Sequence, residues 1–365
     1  MFHHLKTAVF LLLSCCVLQC AHGSDLEPSQ VKKRLSTLEN RIPLPYHPSL
    51  LNDIKSYSSK QLPANFSTFE DILSEGIERH GLPPEIIYLP VALTNMKMDY
   101  HHDNRAGIWA LPGLVALRYG LTVDETHDER FSIGASTEAA LHYLEDLYDL
   151  YGDWWQCILA YANSPASISN ARQRHPKSPI GVWDYYDNDW LPDVRIIGDF
   201  ISSYYVYSSD DKSVAHSTER YVACDFDQPI SVQALSKTIG LPEKKIKSLN
   251  PLFLTDPFIP FSGHTLRLPE NVVPAFESGK ASIYAETAKL KQRQEEKARL
   301  DAEEKSKAKE KAKTKEQECI TYTVKSGDTL GKIAQRYHVK ISDLKKWNKL
   351  KGDLIRENQK LKIYP

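Results

Sequence analysis

A run of charged residues from Glu277 to Glu318 limits the possible folds of this chain more than any other feature. The segment consists mostly of Lys, Glu, Ala and Gln, with no proline and hardly an aromatic residue. Such a composition favours a helix but offers no apolar face for a core. A coiled coil is the weaker interpretation, because sustained apolar a and d positions are missing. The segment 277–318 therefore predicts a solvated helical linker, about 60 Å long at about 1.5 Å per residue.

The chain as a whole has the composition of globular domains. Its 365 residues are 41% apolar and 25% charged. A chain of this length is expected to divide into two or three domains. The formal net charge is only −1, so no overall field attracts nucleic acid or an anionic membrane. We therefore expect no nucleic-acid partner, and a membrane contact only through a lipid anchor.

The amino-terminal residues have the pattern of an export signal. A lysine precedes an apolar stretch from Thr7 to Leu18, and Ala21-His-Gly23 has small residues at both positions that a signal peptidase inspects. The pattern predicts a signal peptide over 1–23 and a location in the periplasm or cell envelope. A membrane anchor is disfavoured, because the stretch is shorter than the roughly 20 residues that span a bilayer. A lipoprotein site at Leu12-Leu-Ser-Cys15 stays open as a third interpretation.

The residues 320–365 change their hydrophobic period twice. Ile320–Val324 alternates as a strand does. Apolar residues then follow at helical spacing behind Asp328 or Thr329 as a cap, namely Leu330, Ile333, Ala334 and Tyr337. A second short helix is predicted with Ser342 as its cap, and Gln359–Ile363 alternates again. The pattern predicts the order strand, helix, helix, strand.

Three motifs in this segment resemble a LysM domain along its whole length. They are Tyr322-Thr-Val-Lys-Ser-Gly-Asp-Thr-Leu330, Ile333-Ala334 and Trp347-Asn348. In that family, glycans containing N-acetylglucosamine lie across the loop after the first strand and the loop before the last. The resemblance implies that peptidoglycan glycan strands are the partner of 320–365. The sugar-binding residues that it implies are Ser326, Gly327, Asp328, Thr329, Gly352, Asp353 and Ile355.

A second copy of the pattern lies before the charged segment. Leu235–Asn250 aligns without gaps on Ile333–Asn348, and its apolar positions coincide. His264–Leu268 supplies a closing strand. The Ser-Gly-Asp-Thr loop is replaced by Asp227-Gln-Pro-Ile-Ser231. We expect a degenerate LysM-like module over 221–270, for which packing is the simpler role.

The segment 31–210 has long amphipathic stretches, few strand signals and short breaks at proline or glycine. It predicts a helical domain. The clearest helix is expected to begin with Ser136 as its cap and to end at Gly152. A partner helix over Asp153–Tyr161 follows at once.

Several stretches of this domain resemble lytic transglycosylases of the membrane-bound murein transglycosylase D type. The matching stretches include Gly81-Leu-Pro-Pro-Glu-Ile-Ile-Tyr-Leu-Pro-Val91, Ala106-Gly-Ile-Trp109, Tyr119-Gly-Leu121, Ser136-Thr-Glu-Ala-Ala140 and Gly152-Asp-Trp154. That family also carries LysM modules at its carboxyl-terminal end. The resemblance therefore extends over both halves of the chain.

The acid that the family's reaction requires is missing from its expected position. In the family, one glutamic acid protonates the glycosidic oxygen and then accepts a proton from the muramic acid 6-hydroxyl as a 1,6-anhydro ring closes. The motif implies that this residue corresponds to Leu93, or to Ala92 when counted from the second motif. Neither side chain can act as a general acid. Asp99 and Asp103, in the following loop, are the possible substitutes.

Other groove positions that the resemblance implies have changed as well. The family has Gln where this chain has Ala110, and its Ala-Tyr-Asn-Ala-Gly turn becomes Ala160-Tyr-Ala-Asn-Ser-Pro165. Trp109, Tyr161 and Asn163 are the groove residues that we expect to contact substrate. His101 and His102 beside the two aspartates fit no zinc-ligand spacing, so we predict neither a metal site nor a cofactor.

These patterns together predict a mainly α protein. A lysozyme-like helical transglycosylase domain is expected to be followed by small α+β LysM modules with the order βααβ. We predict a peptidoglycan-binding cell-wall protein whose helical domain holds glycan, or another cell-wall enzyme, without cutting the wall. The alternative is an active lytic transglycosylase that cleaves MurNAc-GlcNAc bonds with a relocated carboxylate.

Overall fold

The computed structural model describes residues 26–364 except Glu39, Ser59, Gln61, 177–180, 209–219 and Glu318. The predicted signal peptide therefore lies outside the described residues. The chain has two compact units, which divide between Thr287 and Ala288. Helices account for most of the described residues and the strands form small antiparallel sheets, which confirms the mainly α fold class. None of the described helices is both long enough and apolar enough to cross a membrane.

The first unit begins with a helical domain built around one apolar core. Its helices are α1 (Pro28–Thr37), α2 (Leu50–Ser58), α3 (Ala64–Arg79), α4 (Leu89–Thr94), α5 (Gly113–Arg118), α6 (Ile133–Tyr151), α7 (Trp154–Asn163), α8 (Pro165–Arg174), α9 (Val182–Asp187) and α10 (Ile196–Tyr207). Two 3₁₀ helices, Pro84–Tyr88 and Glu129–Phe131, lie between them. α10 packs on α2, and α6 packs on α7. Large side chains fill the core, among them Phe66, Trp109 and Phe200.

The longest helix of this domain, α6, begins before its predicted cap. The residue with extended backbone before the helix is Ser132 (φ −78°, ψ 118°), not Ser136. Ser136 lies inside the helix, where its amide donates a hydrogen bond to the Ser132 carbonyl at 2.9 Å. Gly152 ends α6 in the left-handed conformation (φ 61°), as predicted, because glycine adopts a positive φ without steric cost. Asp153 then caps α7 by accepting a hydrogen bond from the Trp155 amide at 2.7 Å.

A three-stranded antiparallel sheet between α4 and α5 contains the Ala106-Gly-Ile-Trp109 motif. Its strands are β1 (His101–His102), β2 (Arg105–Ala106) and β3 (Leu111–Pro112), in that order. Gly107 has a φ of 73°, and a Cβ atom there would lie 1.8 Å from the Arg130 carbonyl oxygen. The motif therefore requires glycine at this position, both for the backbone conformation and for the close approach.

A buried ion pair fixes this sheet to the segment before α6. Asp128 and Arg130 are only 4% and 5% exposed, and Arg130 Nη2 contacts Asp128 Oδ2 at 2.7 Å. Arg130 Nη1 donates hydrogen bonds to the carbonyls of Asn104 and Leu111, at 2.7 Å and 3.2 Å. Burial of these two charges is acceptable because each has a charged partner and further hydrogen bonds.

The LysM-like module forms the second part of the first unit. Strand β4 (Tyr221–Cys224) pairs antiparallel with β5 (Leu266–Pro269), and α11 (Val232–Ile239) and α12 (Glu243–Leu249) lie between them in sequence. This is the predicted order βααβ. A 3₁₀ helix at Glu270–Val272 leads into α13 (Val273–Gln317).

Helix α13 is a linker over only part of its length. The sequence predicts a solvated helix from Glu277 onward, but the first turns of α13 pack on the LysM-like module. Phe276 and Ile283 are fully buried, and Thr287 Oγ1 accepts a hydrogen bond from the Ser231 amide at 2.9 Å. Two apolar side chains seven residues apart lie on one face and are sufficient to anchor these turns. From Ala288 to Lys307 the side chains are exposed, apart from the half-buried Leu290.

The LysM-like module docks on the helical domain through backbone pairing. The Asp128 amide donates to the Leu252 carbonyl at 3.0 Å, and the Leu254 amide donates to the Thr126 carbonyl at 2.9 Å. Glu129 Oε1 and His264 Nε2 form a hydrogen bond across the same contact, at 2.7 Å. Burial alone raises the pKa of Glu129, but hydrogen bonds from Thr122 and His264 outweigh it and hold that pKa below its usual value.

We expect this docking to weaken in acid. A carboxyl whose pKa is lower in the folded state stabilises the fold above its unfolded pKa, about 4.3, and this contribution is lost as the pH falls through the folded value. Replacing Glu129 by Gln should lower the free energy of unfolding by about 1–3 kcal/mol at pH 7 and reduce the loss of stability below about pH 4. Urea denaturation at several pH values measures both effects. The control is Glu125→Gln, at an exposed carboxyl of the same segment, and an equal effect of both changes would contradict the prediction.

The second unit contains the terminal βααβ module. Strand β6 (Ile320–Thr323) pairs antiparallel with β7 (Lys360–Ile363), and α14 (Leu330–Arg336) and α15 (Ile341–Trp347) lie between them in sequence. Thr329 caps α14 by accepting a hydrogen bond from the Lys332 amide at 3.3 Å. The prediction of Ser342 as a cap is wrong, because α15 begins one residue before it and has Lys340 in the extended conformation as its N-cap.

The same asparagine clasp closes both βααβ modules. In the terminal module, Asn348 Nδ2 donates to the carbonyls of Leu344 and Lys362, and Asn348 Oδ1 accepts from the Lys362 amide at 2.7 Å. Asn250 makes the corresponding three contacts with Ile246 and Arg267 in the LysM-like module. The two asparagines align in the sequence. Each therefore fixes the end of the second helix to the closing strand.

Removal of this clasp should loosen the closing strand of the terminal module. We expect Asn348→Ala to lower the free energy of local opening by about 1–2 kcal/mol, because it leaves the Lys362 amide and two carbonyls without their side-chain partner. Hydrogen exchange of β7 in the full chain should then be about 5- to 30-fold faster. Gln335→Ala, at an exposed position of α14, is the control. An unchanged exchange rate in the Asn348 variant would show that the clasp contributes nothing.

Candidate functional site

Leu93, at the position where the sequence predicts the missing acid, lies in the last turn of α4. Its side chain is half-buried and packs against the core of the helical domain. The next residue, Thr94, fixes this turn, since its hydroxyl contacts the carbonyl oxygens of Pro90 and Ile108 at 3.0 Å and 2.8 Å. The end of α4 is thereby joined to the Ala106-Gly-Ile-Trp109 motif, and an aliphatic side chain occupies the position.

The carboxyls that are near Leu93 in sequence differ in how far they are buried. Glu85 is 1% exposed; its Oε1 accepts a hydrogen bond from the Arg41 amide at 2.6 Å, and its Oε2 has no hydrogen-bond partner among the described residues. Asp99 is exposed. Asp103 lies in the β1–β2 turn with its side chain 86% exposed, 3.2 Å from His102. Neither aspartate has the enclosed position that a general acid of this kind requires.

A guanidinium group connects the segments that the resemblance assigns to the groove. Arg105, in β2, donates from Nη2 to the Ala162 carbonyl at 2.6 Å and from Nη1 to the Ala110 carbonyl at 3.1 Å. Both guanidinium nitrogens also contact the Tyr161 carbonyl at 3.3 Å. The carbonyls of residues 161 and 162 belong to the last turn of α7, where a positive charge is favourable. The Arg105 guanidinium therefore connects the backbone of Ala110 to the turn 160–165.

The two aromatic residues predicted to contact substrate lie in the core instead. Trp109 and Tyr161 are 0% and 1% exposed. Trp109 Nε1 donates to Thr137 Oγ1 at 2.9 Å, and the Tyr161 hydroxyl donates to the Trp109 carbonyl at 2.9 Å. Both side chains thus hold the motif in place, because their polar ends are satisfied within the domain. Asn163 is half-buried, and its Oδ1 accepts from the Asp193 amide at 2.8 Å.

A carboxyl with a raised pKa lies in α10, outside the predicted groove residues. Burial raises the pKa of Asp199, and the nearby charge of Asp53 raises it further, whereas a hydrogen bond with Tyr57 opposes the shift. Tyr186 also donates a hydrogen bond to Asp53. Perturbed carboxyls of this kind occur both in active sites and in structural networks. The sequence gives only a weak signal for the pair Asp53 and Asp199, because the two residues are far apart in the chain.

The two loops of the terminal module that are predicted to bind sugar meet at one end of its sheet. The Val324 amide donates to the Gln359 carbonyl at 2.9 Å, and the Asn358 amide donates to the Val324 carbonyl at 2.8 Å. These bonds extend the β6–β7 pairing into both loops. The chain therefore leaves β6 and enters β7 at the same end of the module, and both predicted loops connect to the sheet there.

The predicted residues of these loops differ in what they contact. Asp328 Oδ2 accepts hydrogen bonds from the Tyr322 hydroxyl at 2.6 Å and the Lys325 amide at 2.9 Å, and these bonds lower the pKa of Asp328. Thr329 is the helix cap, and Gly327 supplies a positive φ of 83°. These three residues shape the loop. Ser326, Gly352 and Asp353 are exposed, and Ile355 is half-buried against the module core.

One exposed apolar residue of this surface is absent from the predicted set. Leu354 is 83% exposed and lies between Asp353 and Ile355. An apolar residue within the second predicted loop is the sequence signal that could have identified it. An exposed leucine beside polar loop residues offers an apolar surface to a ligand.

The LysM-like module differs at the corresponding loop. Its turn 227–231 is covered by α13, since the Asp227 amide donates to the Tyr284 hydroxyl and the Ser231 amide donates to Thr287. A cavity of about 330 Å³ lies nearby, lined by Asp225, Phe226 and the segment Pro260–Thr265. The amides of this turn are therefore engaged by the chain itself.

Comparison with known proteins matches each of these regions to a family model. Residues 94–183 match the Transglycosylase SLT domain, and the match begins directly after Leu93. Residues 222–285 match the LysM-like domain of lytic transglycosylase MltD, and residues 322–363 match the LysM domain. The first of these matches confirms the lysozyme-like class of the helical domain.

Several relatives share parts of this architecture. The membrane-bound lytic murein transglycosylase D of Escherichia coli (strain K12) is 24% identical, over 79% of this chain and 61% of the relative. The chain thus matches about three fifths of that relative's length. An autolysin of Enterococcus faecalis is 60% identical over 40 residues, which are 11% of this chain and 5% of the autolysin. The probable peptidoglycan endopeptidase LytE of Bacillus subtilis is 56% identical over 43 residues, which are 12% of this chain and 13% of the relative. In its succession of an SLT domain, an MltD-type LysM-like domain and a LysM domain, the chain is similar to membrane-bound lytic murein transglycosylase D.

Proposed function

We propose that this protein binds peptidoglycan in the cell envelope and that its helical domain holds a glycan strand or another cell-wall enzyme without cutting the wall. The observation that carries the proposal is Leu93 at the position of the family's acid. An aliphatic side chain cannot transfer a proton, and a placed proton donor typically contributes about 10²- to 10⁴-fold to the rate. The loss of the family's glutamine at Ala110 supports the same conclusion.

Arg105 adds an electrostatic argument. Its guanidinium lies between the backbone of Ala110 and the turn after Tyr161, so a fixed positive charge occupies the region that the resemblance assigns to the groove. The family's transition state develops positive charge on the sugar ring, and a nearby cation opposes that charge. A carboxylate of the glycan or a polar partner is compatible with the same surface.

The terminal LysM domain supplies the wall attachment. Residues 320–365 include eleven Lys or Arg and four Asp or Glu, a net charge of +7. This charge favours association with anionic wall polymers. The two loops at one end of the module, with the exposed Leu354, are the proposed contact surface for N-acetylglucosamine-containing strands.

An active lytic transglycosylase with a relocated carboxylate is the second candidate. The raised pKa of Asp199 favours it, because burial stabilises the protonated form that a general acid requires. Asp99 and Asp103 are the other candidates, and their exposure disfavours them. This function predicts cleavage that one of these three aspartates controls.

The proposed function predicts that the protein releases no cleaved glycan from the wall. The full chain is incubated with purified peptidoglycan, and the released fragments are analysed by mass spectrometry. We expect no 1,6-anhydromuramyl ends, or their formation at a rate at least about 100-fold below that of an active lytic transglycosylase assayed in parallel. The variants Asp99→Asn, Asp103→Asn and Asp199→Asn are assayed beside the unchanged chain. Products from the unchanged chain that one of these variants abolishes would establish the second candidate instead.

The proposed contact surface also predicts that Leu354 contributes to wall binding. We expect Leu354→Ser to weaken binding of the full chain to purified sacculi about fivefold, because about 1 kcal/mol of apolar burial is lost. Cosedimentation at a series of sacculus concentrations gives the affinity. The control is Ile320→Ser, since Ile320 is 41% exposed at the opposite end of the two-stranded sheet. If the control variant lost as much affinity as Leu354→Ser, the proposed contact surface would be wrong.

A further inference from the structure

Two histidines and two glutamates form a cluster where α3 ends beside α6. His80 is the C-cap residue of α3. Glu138, His142 and Glu145 lie four and three residues apart in α6, so they share one face of that helix. His80 faces these three side chains, and its own side chain is 7% exposed.

The distances in this cluster suit a shared cation. His80 Nε2 lies 3.2 Å from Glu138 Oε2, and His80 Nδ1 lies 2.9 Å from Glu145 Oε1. His142 Nδ1 lies 3.0 Å from the other oxygen of Glu145. One ligand atom each of His80, Glu138 and His142 lies within 4.8 Å of the others. Three potential ligand atoms therefore lie close enough together to approach one ion.

The remaining carboxylate is placed to orient the two imidazoles. When Glu145 accepts a hydrogen bond from Nδ1–H of each histidine, the lone pair of each imidazole is on Nε2. Histidine ligands of metals commonly donate their other ring N–H to a carboxylate in this manner. Two histidines and one glutamate are a ligand set that Zn²⁺ accepts, with a further position left for water.

The charges of the cluster favour a dication. Glu138 and Glu145 contribute −2, and Arg79, whose Nη1 contacts Glu138 Oε1 at 2.5 Å, contributes +1. These three side chains together carry a charge of −1. The side chains of Glu138, Glu145 and His142 are 43%, 36% and 55% exposed, so an ion can enter from solvent.

We propose that His80, Glu138 and His142 bind a divalent transition-metal ion of the Zn²⁺ class, with Glu145 orienting both imidazoles. The ion links the end of α3 to α6. This site does not depend on the proposed wall-binding function. It also departs from the sequence prediction of no metal, because 58 residues separate His80 from Glu138 and their meeting follows only from the packing of α3 on α6.

Zinc binding to the full chain tests the proposal. Titration with Zn²⁺ against a competing chelator should show one saturable site. At a free Zn²⁺ concentration about 100-fold above Kd, the Tm of the unit that contains α3 and α6 should rise by about 5–10 °C. Glu145→Gln should weaken binding about 10- to 100-fold, and His142→Gln, which removes a ligand, should weaken it further.

The variants are chosen so that a loss of binding can be separated from a loss of folding. His142 is more than half exposed, so His142→Gln should keep the Tm of the metal-free protein. His101→Gln, at an exposed histidine of β1, is the matched control and should bind Zn²⁺ as the unchanged chain does. Absence of a saturable 1:1 site in the unchanged chain would overturn the proposal. Equal affinity of the unchanged chain and the His142 variant would overturn it as well.

Discussion

The buried guanidinium of Arg130 is the contact on which the arrangement of the first unit depends. It pairs with Asp128 and donates to the carbonyls of Asn104 and Leu111, so it holds the β1–β3 sheet in place. The backbone of Asp128 also donates to the LysM-like module at Leu252. Removing one member of a buried pair typically costs about 3–5 kcal/mol, because the other charge is left without a partner. The sheet therefore depends on this ion pair, and one of its members also contributes a backbone hydrogen bond to the module docking.

A second arginine, Arg105, lies among the segments that the resemblance assigns to the groove. An enclosed carboxylic acid is costly to bury, and enzymes retain one because catalysis requires it. Here Leu93 packs against the core at no such cost, while Arg105 satisfies carbonyls of Ala110 and of the last turn of α7. On the proposed function, the helical domain keeps its framework while Leu93 and Arg105 contribute packing and hydrogen bonds at these positions.

The sequence predicts the features that depend on local pattern. The βααβ order, the cap at Thr329 and the end of α6 at Gly152 follow from residue period and from backbone conformations that few residues adopt. Features that depend on tertiary contacts are predicted poorly. Ser136 has the residue type of a cap, but the chain already turns into helix after Ser132. Resemblance assigns Trp109 and Tyr161 to a groove, yet only the packing shows that their side chains point into the core.

The two βααβ modules show that the frame and the binding loop are separable. Asn250 and Asn348 make the same clasp, so both modules close in the same way. The loops differ, because the amides of Asp227 and Ser231 donate to Tyr284 and Thr287 of α13. A glycan that used these amides would have to displace the first turns of α13, whose Phe276 and Ile283 are fully buried. Exposing these two side chains would cost about 3–6 kcal/mol. A few hydrogen bonds to a sugar would contribute less free energy than this. This difference supports a packing role for the LysM-like module and the proposal that the terminal LysM domain attaches the protein to the wall.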